Sequence, residues 1–304
     1  LIRNIAAFSL LALAVGCGPS QPPTPPGASI APASAQQAGT LEWAVAGDWR
    51  LPVETARDAA RHPRETLAFF GVRPTDTVVE LWPGGGYYTA ILAPYLRAGG
   101  GHFIAAQMDP ASSPDTARAV QQWRDAFVSK LDVFGQIEVT TASRNGTPIA
   151  PDGTADVVLT FRNIHNWMAG GYADRIFADA FRALKPGGTL GVEEHRLPSN
   201  KDQDPSAGTG YVKEAYVIQL AEAAGFELVE RSEINANPRD TADHPLGVWM
   251  LPPVLRSPAP GTPAAASYDP AAYRAIGESD RMTLKFRKPA EAPATPAPSA
   301  TPTP

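Results

Sequence analysis

Apolar and polar positions along this chain of 304 residues alternate between two periods. Short runs rich in β-branched or apolar residues recur at TVVELW (77–82), HFIAAQ (102–107), IEVTT (137–141), DVVLTF (156–161) and TLGVEE (189–194). Runs of that length and composition read as buried strands. Between them the period lengthens. In DTARAVQQWRDAFVSKL (115–131), Ala119, Trp123, Phe127 and Leu131 stand four apart, on one helical face. In YADRIFADAFRAL (172–184), Ile176, Phe177, Ala180, Phe181 and Leu184 make a second stripe, and KPGG stops that helix. YVKEAYVIQLAEAAGF (211–226) is a third helical pattern, ending at Gly225. FELVERSEI (226–234) and RMTLKF (281–286) read as two further strands, joined by a proline-rich excursion too long to be a simple connection. Strand–helix alternation predicts an α/β fold: a doubly wound, mostly parallel, seven-stranded sheet with helices on both faces.

Composition changes this picture at the two ends. The chain is 43% hydrophobic and 19% charged, ordinary values for a globular protein, but it holds 32 prolines, about twice the usual share of roughly 5%. They crowd into 19–32, 252–270 and 289–304. Residues 18–40 read as a Pro/Ser/Ala-rich linker and 289–304 as a Pro-rich tail, leaving 41–288 as one domain. The formal net charge of −5, without any basic stripe, argues against a nucleic-acid partner. No apolar run reaches the roughly 18–20 residues of a membrane span. The first segment, 1–17, has Arg3, an apolar run from Ile5 to Val15, then Gly16 and Cys17. That is the layout of a secretory signal, and its AVGC ending resembles the lipobox of bacterial lipoproteins, in which the cysteine is acylated. The expectation is an exported protein, lipid-anchored at Cys17 and facing the periplasm. Cys17 is the single cysteine of the chain, which leaves the domain without disulfides or a cysteine nucleophile.

The stretch TVVELWPGGGYYTAIL (77–92) carries the candidate chemistry. A strand runs into a glycine loop and then a helix, at the sheet edge where open α/β folds bind ligands. Gly84, Gly85 and Gly86 let the backbone approach a ligand, and the following helix start offers free N–H groups. Gln107 ends the second strand about 20 residues on, where a ribose-reading residue would stand.

These motifs resemble those of class I S-adenosylmethionine-dependent methyltransferases over roughly residues 50–288. VVELWPGGGYYTAIL is similar to their acid-then-glycine loop, with Glu80 as the acid and Gly84 and Gly86 as its second and third glycines. ADVVLTFRNIHNW is similar to their fourth-strand motif, and ALKPGGTLGVEEH to their LKPGG turn and fifth strand. The FRNI and LKPGG pair resembles quinone-biosynthesis methyltransferases, and PGGGYYTAIL the protein-isoaspartate enzymes. The resemblance is closest to a set of "predicted methyltransferases" that are often exported. It implies S-adenosyl-L-methionine as cofactor, a Rossmann-like fold, and RMTLKF as an antiparallel seventh strand. Three positions depart from the pattern. Trp82 stands at the first glycine. Gln107 replaces the acid that binds the ribose. TTASRN (140–145) lacks the acid that holds the adenine amine. Because Trp82 precedes Pro83, it reads as extended, so that Val78, Glu80 and Trp82 share one strand face and the indole either walls the cofactor's methionine end or packs under a covering helix without meeting ligand.

Methyl transfer to oxygen or nitrogen requires a base. His165, Glu194 and His195 are the candidates, His165 standing even between base and loop cap. Glu193, Glu194 and Arg196 read more readily as a solvated strand end. Arg162 and Asn163 can hold the cofactor or a polar acceptor, with a backbone-bonding role for Asn163 equally open. A metal site from His165, His195 and His244 lacks close ligand spacing, so no metal is expected. Asp109 reads as a turn residue. Residues 237–253 read either as a lid whose Asp240, Asp243 and His244 touch an acceptor or as a surface loop pinned by Trp249. Two functions follow: a methyltransferase acting on a small molecule or an envelope component, or a methyltransferase-like lipoprotein that binds a ligand or protein without turnover.

Overall fold

The structure, a computed structural model, describes residues 37–290. The signal segment with Cys17, most of the linker and nearly all of the tail lie outside these residues. Among the described residues no helix is long and apolar enough to cross a membrane.

Four short helices, α1 (Leu41–Val45), α2 (Pro52–Thr55), α3 (Asp58–Arg61) and α4 (Pro63–Phe70), lead into strand β1 (Thr77–Leu81). Then come α5 (Thr89–Gly99), β2 (His102–Gln107), α6 (Pro114–Phe127), α7 (Leu131–Phe134), β3 (Ile137–Thr141) and β4 (Ala155–Phe161). The second half contains α8 (Ile164–Gly170), α9 (Ala173–Ala183), β5 (Leu184–Leu197), β6 (Val212–Lys213), α10 (Glu214–Ala223) and β7 (Glu227–Ser232). The excursion holds α11 (Pro263–Ala266) and α12 (Pro270–Ile276) before β8 (Arg281–Arg287). The sheet order is β3-β2-β1-β4-β5-β8-β7, with the two-residue β6 paired to β5. Strands β3 to β5 of this order run parallel, and β8 is antiparallel to both β5 and β7.

Both faces of the sheet are covered, as its continuous apolar strands require. Strand parity assigns the residues. Val79 and Leu81 of β1, Val158 of β4 and Leu190 and Val192 of β5 pack on one side with Ile176, Phe177 and Ala180 of α9. Val78, Phe103, Val157 and Leu159 pack on the other with Leu67 of α4, Ile91 of α5 and Trp123 of α6. Local chemistry sets the helix ends. Ser113 caps α6 by accepting from Thr116 N, and Pro114 and Asp115 occupy its first turn.

Two expectations need correction. Helix α6 buries Val120, Trp123 and Phe127, whereas Ala119 is exposed and Leu131 belongs to the separate α7, 58% exposed. Residues four apart drift about 40° per step around a helix, so a run of four cannot stay on one face. The KPGG stretch does stop α9, but β5 starts at Leu184, paired with Ala155, and a register shift follows before Thr189 pairs with Val157.

Candidate functional site

The site lies beyond the carboxyl ends of β1, β4 and β5. Strand β1 ends at Leu81, and Trp82 adopts φ 47°. The expectation of an extended Trp82 sharing a face with Val78 and Glu80 is therefore overturned. Its N–H still donates to Ala106 O at 2.8 Å, but the left-handed backbone turns the side chain to the opposite face. There the indole N–H donates to Ala142 O at 2.8 Å, and its rings meet Trp167 edge-on at 5.8 Å and Tyr172 at 6.5 Å. Left-handed geometry costs a non-glycine residue about 1–3 kcal/mol. The buried hydrogen bond and the aromatic contacts outweigh the local preference of a residue before proline.

After Pro83 the glycines divide into two kinds. A Cβ at Gly84 (φ 59°) or Gly85 meets nothing within 4 Å, so these two floor an open cradle. A Cβ at Gly86 would strike the Phe127 ring at 2.2 Å, so Gly86 serves packing. Helix α5 follows, and the hydroxyl of Thr89 donates to Glu80 Oε2 at 2.7 Å. Burial pushes the Glu80 carboxyl up to about 8, against the opposing Thr89 hydrogen bond and the charge of Arg162. Glu80 thus holds a proton at neutral pH.

Three cavities form a chain across this edge. The first, about 460 Å³, is lined by Trp82, Met108, Asp109, Ala142, Ser143 and Tyr172 among others. The second, about 260 Å³, lies over Gly84 and Gly85 between Glu80, Tyr88, Arg162 and Asn163. The third, about 210 Å³, is lined by His165, His195, Trp249, Pro252 and Ser279 among others. Trp82 borders the first two, and Arg57, Arg61 and Arg162 border the second and third.

At the third cavity His165 Nδ1 lies 3.1 Å from Glu194 Oε1. Glu194 also accepts from His195 N at 2.8 Å and, through its other oxygen, from Ile164 N at 2.6 Å at the start of α8. A carboxylate oxygen accepts, so His165 donates from Nδ1, and Nε2 is the ring nitrogen outside this contact. His195 Nδ1 lies 2.5 Å from Ser279 Oγ. Burial, then the neighbouring His165, Arg162 and Arg281, hold the His195 pKa well below the ordinary histidine range. Glu193 and Glu194 are fully buried, not a solvated strand end, because β5 lies inside the sheet between β4 and β8. Arg196 is ion-paired with Asp280 at 2.9 Å and Glu233 at 2.7 Å, away from the three cavities.

The remaining candidates separate. Asn163 Nδ2 donates to Leu81 O at 2.9 Å and Trp82 O at 3.3 Å, tying β4 to the glycine loop while it borders the second cavity. Arg162, at φ 61°, donates to Glu193 Oε1 at 2.9 Å. Gln107 is buried, does not border the first cavity, and its Nε2 has no hydrogen-bond partner among the described residues. Asp109 borders that cavity instead, with one oxygen capping Ala111 N at 2.9 Å. His244 is bound to Asp240 at 2.9 Å and does not join His165 and His195. The 237–253 excursion does reach the third cavity, through Val248, Trp249, Pro252 and Pro253 rather than Asp240 or His244. His165, Glu194 and His195 bring ligand-type atoms within 4.8 Å of one another, but Arg57, Arg61 and Arg162 beside them oppose a bare cation. Sequence reasoning missed Arg57 and Arg61, which lie in and beside α3 with no motif around them.

The topology defines a Rossmann-like methyltransferase fold, and in sequence and fold the chain is similar to class I S-adenosylmethionine-dependent methyltransferases. No family model matches it. Over 190 residues it is 26% identical to an arsenite methyltransferase of Halobacterium salinarum, a match that covers 60% of this chain and 44% of that relative, so the chain spans less than half of its length. Among solved structures, the [4+2]-cyclase SpnF is 17% identical with a TM-score of 0.51, covering 81% of this chain and 85% of that one. An S-adenosylmethionine-dependent methyltransferase from Aquifex aeolicus is 19% identical with a TM-score of 0.44, covering 59% of this chain and 87% of that one.

Proposed function

We propose that the chain transfers a methyl group from S-adenosylmethionine to a small-molecule acceptor, with His165 as the base. The observation that carries this reading is a row of three cavities with shared wall residues, from the ends of β2 and β3, over the glycine cradle, to His165. The open space above Gly84 and Gly85 fits the cofactor, since a Cβ at either would protrude into it. Asp109, Ser143 and the Trp82 indole would hold its nucleoside end, and the cradle with Arg162 its amino-acid end. When bound, S-adenosylmethionine supplies an electrophilic methyl group on a sulfonium. His165 Nε2 takes the acceptor's proton, and Glu194 fixes the tautomer and aim of the ring, a positioning role familiar from histidine–carboxylate pairs. Val248, Trp249 and Pro252 line the reacting end.

The chain's one cysteine precedes the domain, so the domain has no thiolate for a soft metalloid acceptor. This favours an oxygen or nitrogen nucleophile over the arsenite of the halobacterial relative. The test is calorimetric titration with S-adenosylhomocysteine. A dissociation constant on the order of micromolar, about −8 kcal/mol, is expected. No heat and no thermal shift at millimolar ligand would remove the transferase reading. The buried Gln107 and the φ 47° Trp82 would then favour the second reading, a binding module on a methyltransferase fold. The match to a cyclase shows that this fold alone does not specify transfer.

We also propose export and lipid anchoring at Cys17, on the strength of the AVGC ending alone. Cys17→Ala should release the protein from membranes or leave an uncleaved precursor. A wild-type protein found wholly in the cytosol would end this reading.

A further inference from the structure

Five large hydrophobic side chains are exposed among the described residues, and three of them stand beside the site: Leu51 at 59%, Val53 at 70% and Val254 at 54%. The other two, Leu131 in α7 and Val229 in β7, border none of the three cavities. Glu54, next to Val53, lines the second cavity, and Val254 with Pro253 lines the third. Arg57 lines both, so the segment after α2 and the stretch 252–254 meet at the third cavity. Neither apolar tip serves the core. Helix α2 buries none of its residues. Leu51, Pro52 and Val53 are all exposed, as is Pro253 beside Val254. Single exposed apolar residues are ordinary, but two apolar tips on either side of one site are not scattered. Close to Val254, Trp249 lines the third cavity, and the exposed Arg256 guanidinium lies 5.3 Å from its ring centroid.

We propose that the tips at Leu51–Val53 and Pro253–Val254 form one docking surface for a lipid membrane, which sets the second and third cavities against the bilayer surface. Apolar side chains that leave water for the boundary of headgroups and acyl chains gain what the core does not give them. A tryptophan beside an arginine suits the headgroup level, where an amphipathic ring and a guanidinium on a long stem both find partners. The choice of lipid as the occupant rests on the Cys17 anchoring reading, not on methyl transfer. Residues 18–40 read as a Pro-rich linker, and in polyproline geometry of about 3.1 Å per residue such a stretch would reach roughly 70 Å. It joins the domain at α1, and α2 is the next element. A tether of that length confines the domain to the membrane without orienting it. The two tips supply the orientation.

The test uses the full chain with Cys17→Ser and an N-terminal hexahistidine tag, on phosphatidylcholine vesicles that carry a nickel-chelating lipid. The tag holds every variant to the vesicle in place of an acyl group, so the outcome does not depend on whether Cys17 is acylated. Each variant receives one cysteine labelled with nitrobenzoxadiazole, a dye that brightens in apolar surroundings. Val53→Cys and Val254→Cys report on the tips, and Leu131→Cys and Val229→Cys are the controls. All four positions are exposed, so the label needs no room in the core. The tip labels are expected to brighten severalfold on tethering and to be quenched by brominated acyl chains, while the control labels stay unchanged. Adding Val254→Asp should reduce the response of the Val53 label, because a carboxylate resists leaving water. Equal responses at tips and controls, or none at the tips, overturn the proposal. A Val53 response unmoved by Val254→Asp also overturns it, since the tips would not share one surface. So does brightening that grows with protein concentration without vesicles, which would give the surface to a second copy of the chain. If the wild type is found wholly in the cytosol, the anchoring reading has failed by itself, and the tethered labels still decide the docking surface.

Discussion

Two buried histidine–carboxylate pairs stand among the described residues at nearly the same distance: His165 with Glu194 at 3.1 Å and His244 with Asp240 at 2.9 Å. Their surroundings differ. Asp240 also accepts from Tyr211 OH at 3.0 Å, Ala242 N at 3.0 Å and Asp280 N at 2.8 Å. These bonds pin the long excursion to the segment entering β8. The His244 ring packs on Tyr273. Glu194 likewise anchors backbone, but its histidine borders a cavity that already contains Arg162 and Trp249. The pair itself is therefore no mark of catalysis; the cavity that His165 borders makes the difference.

The largest expected effect breaks this comparison directly. His165→Ala should lower methyl transfer by roughly 10²-fold or more, the usual weight of a general base, while leaving S-adenosylhomocysteine affinity and melting temperature nearly unchanged. His244→Ala should do the reverse, lowering the melting temperature with turnover within about twofold. Steady-state rates and melting curves of both variants decide it. Unchanged turnover in His165→Ala would make the two pairs equivalent, both structural.

A third buried acid sharpens the comparison. Burial alone would raise Asp240, but hydrogen bonds from His244, Asp280 N, Ala242 N and Tyr211 hold it below the ordinary range. Its contribution to stability is therefore present above about pH 3.8 and lost as the pH falls below that. Glu80 has fewer such partners, and its folded pKa of about 8 exceeds the unfolded value, so the folded state binds more protons between them. This contribution is fully present below about pH 4.5, the unfolded value, and is lost as the pH rises toward 8. Denaturant titrations of wild type and Glu80→Gln between pH 5 and 8 should show a declining stability that the variant flattens. The same slope in both would mean that Glu80 is ionised.

The smallest effect concerns the indole between the first two cavities. Trp82→Gly should weaken S-adenosylhomocysteine binding about tenfold, roughly 1.4 kcal/mol. Its melting temperature should fall only modestly, because relief of the left-handed backbone, about 1–2 kcal/mol, offsets part of the lost packing. Tighter binding by the glycine variant would show that Trp82 obstructs the site.

Much of the frame was legible along the chain. HFIAAQ and IEVTT coincide with β2 and β3, and RMTLKF with all but the last residue of β8. Gly84 and Gly85 stand where the motif placed a cradle. Trp82 was misread because the residue-before-proline rule is local, whereas Ala142, Trp167 and Tyr172 come from distant segments. Glu193 and Glu194 were misread because alternation along β5 cannot reveal that β8, almost 90 residues later in the register Glu193↔Thr283, covers its outer edge.

The sequence by itself determined the alternation of strands and helices, the glycine loop after β1 and the apolar parity of each strand, because those depend on neighbours within a turn or a pleat. Tertiary structure decided which charges meet. Arg61 reaches Glu278 across 217 positions, and His165 reaches Glu194 across 29. Which acid keeps its proton and which histidine borders a cavity depend on burial and on distances between crossovers. Those quantities exist only once the sheet has brought its strand ends together.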